Sequence, residues 1–378
     1  MSNKDFHKKE FDNSTLKKLD IYKEYFNESF PVFLHGGWKN VMIYDFFAGE
    51  GKDGEGNYGS PLIALESIST FCKTINDKGV NVVVRFNEKD VKKHEKLDNN
   101  VSAFLEECNK TEQCPNPQSG CIIKKTILIQ NKDFTEYFNE IYPQMQSHPK
   151  NPRIIFLDQF GFKYVNRDVF LKFVELPRTD FIFFVASSYL NRFRSVDFFN
   201  NYLEMEKIDF DTSKPHHCHR IIADYYESLI PDGKEYYTAH FSLKKGTNYY
   251  GLIFCTNHIL GIEKFLKICW KHDAVVGEAN YNIDHEPSYT GNTLFPQFNE
   301  ALKVQKFKNE LKKRILNAEI KTNKGVYQFA FEKKCLHKHA NDVLKELSEN
   351  KQIETISTTN DRVHKLKDEQ LIIKRAKS

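Results

Sequence analysis

The sequence has little with which to cross a membrane, knit an extracellular scaffold or close a zinc ribbon. None of its 378 residues falls in a stretch approaching the ~20 consecutive apolar residues that a membrane-spanning helix needs. Residues Met1 to Glu10 carry no apolar signal region. The eight cysteines are scattered, and Cys72, Cys255 and Cys269 sit inside apolar runs, as buried free thiols do in a reducing compartment. Cys108, Cys114 and Cys121 lie in a loop-like stretch, but their spacings are not those of a Cys-x-x-Cys ribbon. An ordinary insertion is the expectation there, with no metal. No internal repeat is visible. These absences point to a cytosolic protein, large enough for one sizeable domain and a smaller one.

Net charge is also small, at +4, but it is unevenly spread. From Ala301 onward 19 Lys and Arg face 10 Asp and Glu, so the rest of the chain is mildly acidic. A basic C-terminal module or a merely lysine-rich surface would both give this asymmetry.

The stretch around which the chain is organised is Val41 to Gly51, followed by Gly59, Ser60 and Pro61. A short β-favouring run ends in Asp45, and Gly49 and Gly51 punctuate the turn that follows. A helix is expected from Ser60, with Leu62, Leu65, Ile68 and Phe71 on one face and its end near residue 75. Strand, glycine turn and helix open an α/β nucleotide-binding domain, although an ordinary tight turn has the same glycines. An acid at the strand end suits a cationic ligand group, such as the ammonium of S-adenosylmethionine, better than a bare pyrophosphate.

A helix over residues 13–30 is expected to precede this unit, with Leu16, Leu19, Tyr22 and Phe26 on a common stripe. A second strand over 80–86 ends at Glu88, the place where such folds keep an acid for ribose hydroxyls; a solvent-exposed turn glutamate is the alternative. A third strand over 121–130 leads to Asp133, near where an adenine amino group would sit. The fourth, 153–158, ends in Asp158, Gln159, Phe160 and Gly161, putting a carboxylate, an amide and a ring at the ligand crevice. A fifth strand over 180–186 ends in Ser187 and Ser188. The cluster His216, His217, Cys218 and His219 opens a helix over 220–230, where adjacent side chains diverge, so a structural role is expected rather than a metal site.

Two β-rich runs, 236–243 and 249–256, flank a polar glycine turn and read as a hairpin. A helix over 258–272 closes a domain spanning 1–276. Residues 277–299 read as a linker, and 300–378 as a basic winged-helix-like domain of α+β type. In it, helices over 301–316 and 337–350 precede β-like runs at 353–357 and 370–375.

The run Asp45-Phe46-Phe47-Ala48-Gly49-Glu50-Gly51 resembles the Asp-x-Phe-x-Gly-x-Gly motif of amino-group methyltransferases. Taken with Gly59-Ser60-Pro61-Leu62, Phe156 to Gly161, Ser187-Ser188 and Thr256-Asn257-His258, it is similar to the three-Cys-motif partner family, by motif order and spacing. The resemblance runs from about Leu16 to Trp270, and more loosely through the tail. It implies a Rossmann-like class I methyltransferase fold with a mixed seven-stranded sheet. It also implies S-adenosylmethionine held by Asp45, Phe47, Gly49, Gly51, Ser60, Glu88 and Asp133, with Asp158 and Phe160 at the methyl acceptor. The partner implied is a radical-SAM-like protein whose own cysteines give the family its name; those of this chain do not inherit that role. Where the family usually has proline after the fourth-strand acid, this chain has Gln159.

Methyl transfer to an amino group, with a nucleobase as one candidate acceptor, is the leading expectation. It needs positioning and one proton acceptor, and no Ser-His or Cys-His pair is expected at the site. The rival expectations are a non-catalytic nucleoside-binding adaptor and a DNA-binding protein working through the basic tail.

Overall fold

The computed structural model describes residues 10–112, 114, 115, 120–159, 161–194, 196–211, 213–290, 299–354 and 363–366. The chain divides into two compact units, residues 1–236 with 243–257, and residues 237–242 with 258–378.

The first unit begins with α1 (Asn13–His35), started by Asp12, whose carboxylate accepts from the Ser14 and Thr15 N–H groups. Its stripe of Leu19, Tyr22, Tyr25, Phe26 and Phe30 is fully buried or nearly so. β1 (Asn40–Asp45) follows, then α2 (Ser60–Ser69) and α3 (Cys72–Lys78). The single helix expected over 60–75 is thus two. The break falls at Thr70 and Phe71, where the Ser69 and Thr70 hydroxyls bond back to carbonyls three residues earlier.

β2 (Asn81–Asn87), α4 (Val91–Cys108), β3 (Ile127–Gln130), α5 (Phe134–Ser147), β4 (Arg153–Leu157), α6 (Arg167–Glu175) and β5 (Thr179–Val185) continue the alternation. β3 is shorter than the 121–130 expected. Residues 124–126 form a 3-10 turn, because the Thr126 hydroxyl bonds the Ile123 and Val82 carbonyls and tightens the approach to the sheet. Short α7 (Ser187–Arg192) and α8 (Cys218–Ser228) lead to the hairpin β6 (Tyr237–Lys245) and β7 (Asn248–Thr256), turned at Gly246 and Thr247.

The sheet runs β3-β2-β1-β4-β5-β7-β6. β1 pairs in parallel with β2 and β4, β4 with β5, and β7 runs antiparallel to β5 with Val185 opposite Gly251. This mixed order is the class I methyltransferase sheet that the motif order implied. β1 and β4 lie at its centre, which is why β4 reads as an unbroken apolar run, buried at all five positions. On one face, Tyr22 of α1 stacks on Phe156 at 4.2 Å between ring centres. On the other, an aromatic core of Phe46, Phe134, Phe138, Phe173 and Phe181 packs against α5 and α6. Among the described residues no helix is long and apolar enough to cross a membrane.

The second unit holds α9 (Ile259–His272), α10 (Leu302–Leu316), α11 (Asn323–Glu332) and α12 (His337–Glu349). α11 was not expected from the sequence. Its apolar side chains Val326, Tyr327, Phe329, Ala330 and Phe331 are packed too closely along the chain to show a clean helical stripe, and Thr322 supplies its cap through the Gly325 N–H. Of the expected β-like runs, 355–357 and 370–375 lie outside the described residues.

Candidate active site

Parallel strands deliver their C-terminal ends to one edge of the sheet, and three carboxylates arrive there from β1, β2 and β4. Asp45, the last residue of β1, is 1 % exposed. Its Oδ1 accepts from the Phe47 N–H at 3.1 Å, while Oδ2 has no hydrogen-bond partner. Burial pushes its carboxyl up to about 7. The Ser60 hydroxyl and the Phe47 N–H oppose that rise, and the charges of Asp158 and Glu88 add to it. The Ser60 hydroxyl is near enough to favour the charged form without completing a hydrogen bond to Oδ2. A neutral carboxyl near pH 7 with an orphaned oxygen is costly unless a donor meets it.

Glu88 closes the glycine turn. Its Oε2 accepts from the Gly49 N–H at 3.0 Å and its Oε1 from the Asp90 N–H at 2.8 Å. Gly49 and Gly51 take positive φ of 62° and 85°, where a β-carbon is strained. The loop beyond is tied by Gly59 N–H to Gly51 O at 2.8 Å and by Lys96 to Glu50. Asp53 adds bonds to the Glu55 and Asn57 N–H groups. Phe47 packs over Phe134 at 5.2 Å, and Ser60 starts α2, 5 % exposed. Asp133 caps α5 through the Thr135 N–H and pairs with Lys89 at 2.8 Å; the Lys89 ammonium holds its carboxyl below the usual range.

Asp158 follows the end of β4 and is half-buried, with its Oδ2 taken by the ammonium of Lys18 from α1. Its Oδ1 makes no hydrogen bond among the described residues. Gln159, 1 % exposed, replaces the stiffness of a proline with its amide. Nε2 donates to Phe184 O at 3.1 Å, and Oε1 accepts from the Tyr164 and Val165 N–H groups at 3.0 and 3.2 Å. Phe160 lies outside the described residues.

The structure therefore brings Asp45, Gly49, Gly51, Ser60, Glu88 and Asp158 to the C-terminal end of the central strands and engages Asp133 in a cap and an ion pair. Sequence reasoning missed Lys18 and Tyr22. Both lie on the buried stripe of α1, and the Tyr22 hydroxyl is buried without a partner, raised well above its ordinary pKa by burial and then by the Asp45 charge. A lysine in an apolar helical stripe was the available signal for the first. It also missed a Ser-His pair: Ser187 Oγ lies 2.7 Å from His219 Nδ1. The carbonyl of Leu252, 3.2 Å from Nε2, can only accept, so Nε2 carries the proton and Nδ1 accepts from Ser187. Both residues are fully buried, and burial lowers His219 to about 4, so the pair is a structural tie.

The Cys72 thiol is pushed up to about 12 by burial first and then by the neighbouring thiols of Cys108, Cys121 and Cys114. Among the described residues no group of three His, Cys, Asp or Glu side chains is arranged to hold a metal ion.

Residues 280–360 match the family model of the GMT-like wHTH domain, so the second unit carries a winged helix-turn-helix domain. None of the curated protein sequences matches the chain. Among solved structures, the chain is similar to Trm1 from Pyrococcus horikoshii in complex with S-adenosyl-L-methionine. Identity is 11 % over 69 % of this chain, with a TM-score of 0.34, and the chain spans 59 % of that protein's length. It is also similar to the O-methyltransferase TomG from Streptomyces achromogenes in complex with SAM, at 9 % identity over 65 % of this chain and 90 % of TomG, TM-score 0.32. The METTL16 methyltransferase domain is similar at 10 % identity over 65 % and 69 % of the two chains, TM-score 0.31. Likenesses this distant add no weight beyond the strand order, which identifies the fold by itself.

Proposed function

We propose that the chain is an S-adenosylmethionine-dependent methyltransferase, and the observation that carries this is the buried, unpartnered Oδ2 of Asp45 at the end of β1. Of the three carboxylates Asp45, Glu88 and Asp158 at the strand ends, only Asp158 is paired to a lysine ammonium, which suits a ligand bearing a sulfonium and an ammonium. When bound, that cofactor supplies an electrophilic methyl group. Asp45 would hold its ammonium, with Ser60 beside it. Glu88 would take its ribose hydroxyls. Gly49 and Gly51 would let the backbone pass close by, with Phe47 at the same turn. Asp133 would reach the adenine amino group only by sharing itself with Lys89.

The chain's own work in transfer is positional. An acceptor nitrogen must aim its lone pair at the methyl carbon and give up one proton as the new bond forms. Asp158 Oδ1 would orient that N–H and take the proton, while Lys18 holds the carboxylate through Oδ2. The amino-group acceptor and the pairing with a three-Cys-motif protein rest on the motifs around Asp45 and Asp158. Phe160 would be the wall on which the acceptor stacks. The same Lys18–Asp158 contact favours the second reading, an adaptor that keeps a nucleoside pocket with its acceptor site filled by an internal ammonium. Titration calorimetry of the cofactor into wild-type protein and Asp45→Asn tests the proposal: micromolar binding lost in the variant supports it, and a folded wild type that takes up no cofactor sinks it.

A further inference from the structure

The edge of the sheet that carries Asp158 also carries a cationic cleft that the cofactor does not need. α7 leaves the end of β5, and the β6–β7 turn comes back beside it, so Ser188, Asn191, Arg192, Arg194, Lys244 and Tyr249 line a hollow of about 460 Å³. Among the described residues its lining includes three cations and no carboxylate. Tyr249 N–H donates to Ser188 Oγ at 2.6 Å, which fastens the turn to α7. Arg192 reaches Asn248 Oδ1 at 3.0 Å and Arg194 reaches the Asn191 carbonyl at 2.9 Å; neither arginine makes an ion pair among the described residues. Both are exposed, so their charge is available to an anion.

Exposed rings stand in the same segment. Of the seven exposed large apolar side chains among the described residues, Tyr189, Phe193 and Val196 fall within eight positions. Tyr189 and Phe193 are 50 % and 39 % exposed, with ring centres 4.8 Å apart. Apolar rings cost free energy in water, and rings interleaved with arginines are how proteins take single-stranded nucleic acid, bases on the rings and phosphates on the cations. β4, β5 and β7 are successive neighbours, so the cleft lies two strand spacings, about 10 Å, from the strand that ends at Asp158.

The second unit offers less. The exposed side chains of α12 include Lys338 and Lys345 but also Asp342, Glu346 and Glu349. Three of the five lysines of α10 are paired: Lys303 with Glu278, Lys308 with Glu300 and Asp342, and Lys312 with Glu346.

We infer that α7 with residues 193–194 and the β6–β7 turn bind a single-stranded nucleic acid, its phosphates on Arg192, Arg194 and Lys244 and a base on Tyr189 and Phe193. This rests on the methyltransferase reading for its purpose, since the strand would bring the acceptor base to Asp158, but its binding is measurable without transfer.

The test is fluorescence anisotropy of the full chain with labelled 12-nucleotide RNA, DNA of the same sequence, and the DNA duplex, across a salt series. Single strands of either sugar should bind more tightly than the duplex. Three phosphate contacts predict a slope of log affinity on log salt near −2, from about −0.7 per contact. R192A/R194A should lose at least tenfold in affinity and flatten that slope. Y189A/F193A should lose a similar factor with the slope unchanged, and K338A/K345A should bind as wild type does. Thermal melts that match wild type show each variant folded. Undiminished binding by the two cleft variants, duplex preference, or equal competition by polyglutamate would overturn the inference. Cofactor calorimetry on the same proteins separates the two readings: strand binding without cofactor binding would defeat the methyltransferase and leave this surface standing.

Discussion

The ammonium of Lys18 on the first helix holds the carboxylate of Asp158 beyond the fourth strand, 140 positions away in the chain. Lys18 is buried, and its ammonium also lies 4.8 Å over the ring of Phe184. Lys18→Ala removes the partner of a half-buried anion and should destabilise the fold by about 2–3 kcal/mol, the scale of a hydrogen bond to a charged group. K18M/D158N removes both charges and should recover most of that loss. Urea unfolding of the two variants checks it: equal stabilities would mean that Lys18 and Asp158 are not coupled.

Asp45 sets the pH behaviour. Its folded value near 7 lies above the unfolded 3.8, so its contribution to stability is complete below about 4 and is lost as pH rises through 7. A cationic ligand demands the charged form, so cofactor affinity should run the other way, falling toward tenfold per pH unit below 7. Asp45→Asn should flatten the stability curve, with cofactor binding lost at every pH. His219, lowered to about 4 by burial, acts in the opposite sense on stability: its contribution is present above 6.5 and is lost as pH falls through 4. Stability measured from pH 4 to 8 in D45N isolates the Asp45 part; an unchanged slope would show that Asp45 is not the titrating group.

Much of the scaffold was legible because it is made of local patterns. Val41 to Asp45, the glycine turn and the buried run of β4 carry alternation, turn chemistry and length in a few residues each. The seven-stranded mixed sheet followed from five strand–helix units and a terminal hairpin. What stayed hidden is nonlocal. Lys18 and Tyr22 look like stripe residues until α1 lays them against the ends of β1 and β4. Gln159 looks like a missing proline until its amide is seen bridging Phe184 and Val165. The pairing of Ser187 with His219 joins residues that only the sheet edge brings together. The broken helix after Ser69 and the missed α11 are failures of periodicity over short, apolar-rich windows.

Gln159 yields a third prediction. Its truncation to alanine leaves Phe184 O and two loop N–H groups without their partner in a site 1 % exposed. Gln159→Ala should cost about 2–4 kcal/mol, from unsatisfied buried groups at about 1–3 kcal/mol each with some water entry. The loop holding Tyr164 should become more susceptible to proteolysis. Wild-type stability in this variant would show that the amide is dispensable.

Glu88 and Gly49 test the cofactor loop from both ends of one hydrogen bond. Glu88→Ala should weaken cofactor binding by roughly 1–3 kcal/mol through lost charge-assisted bonds. Gly49→Val places a branched side chain at a φ of 62° and should abolish binding. Calorimetry on proteins that melt as wild type does reads both; a Gly49→Val protein that binds normally would move the ligand elsewhere.

The last prediction separates catalyst from adaptor at Asp158. In the catalytic reading, Oδ1 orients and deprotonates the acceptor while Lys18 anchors Oδ2, so both oxygens matter and only a carboxylate serves. Asp158→Asn keeps the shape, offers Lys18 a carbonyl in place of an anion, and cannot take a proton. Cofactor affinity should then hold within a few-fold, because the proposed cofactor contacts lie at and after the ends of β1 and β2, while methyl transfer falls at least ~100-fold, the scale of a lost positioned proton acceptor. In the adaptor reading, Asp158 exists to neutralise Lys18, and Asp158→Asn changes stability alone, by about 1–3 kcal/mol. Tritiated methyl transfer to cell-derived nucleic acid and protein, with and without a three-Cys-motif protein, decides between them. Incorporation by wild type that collapses in D158N assigns catalysis to this carboxylate. Confirmed cofactor binding with no incorporation into either fraction would instead leave the Lys18–Asp158 pair as the plug of a retired acceptor site.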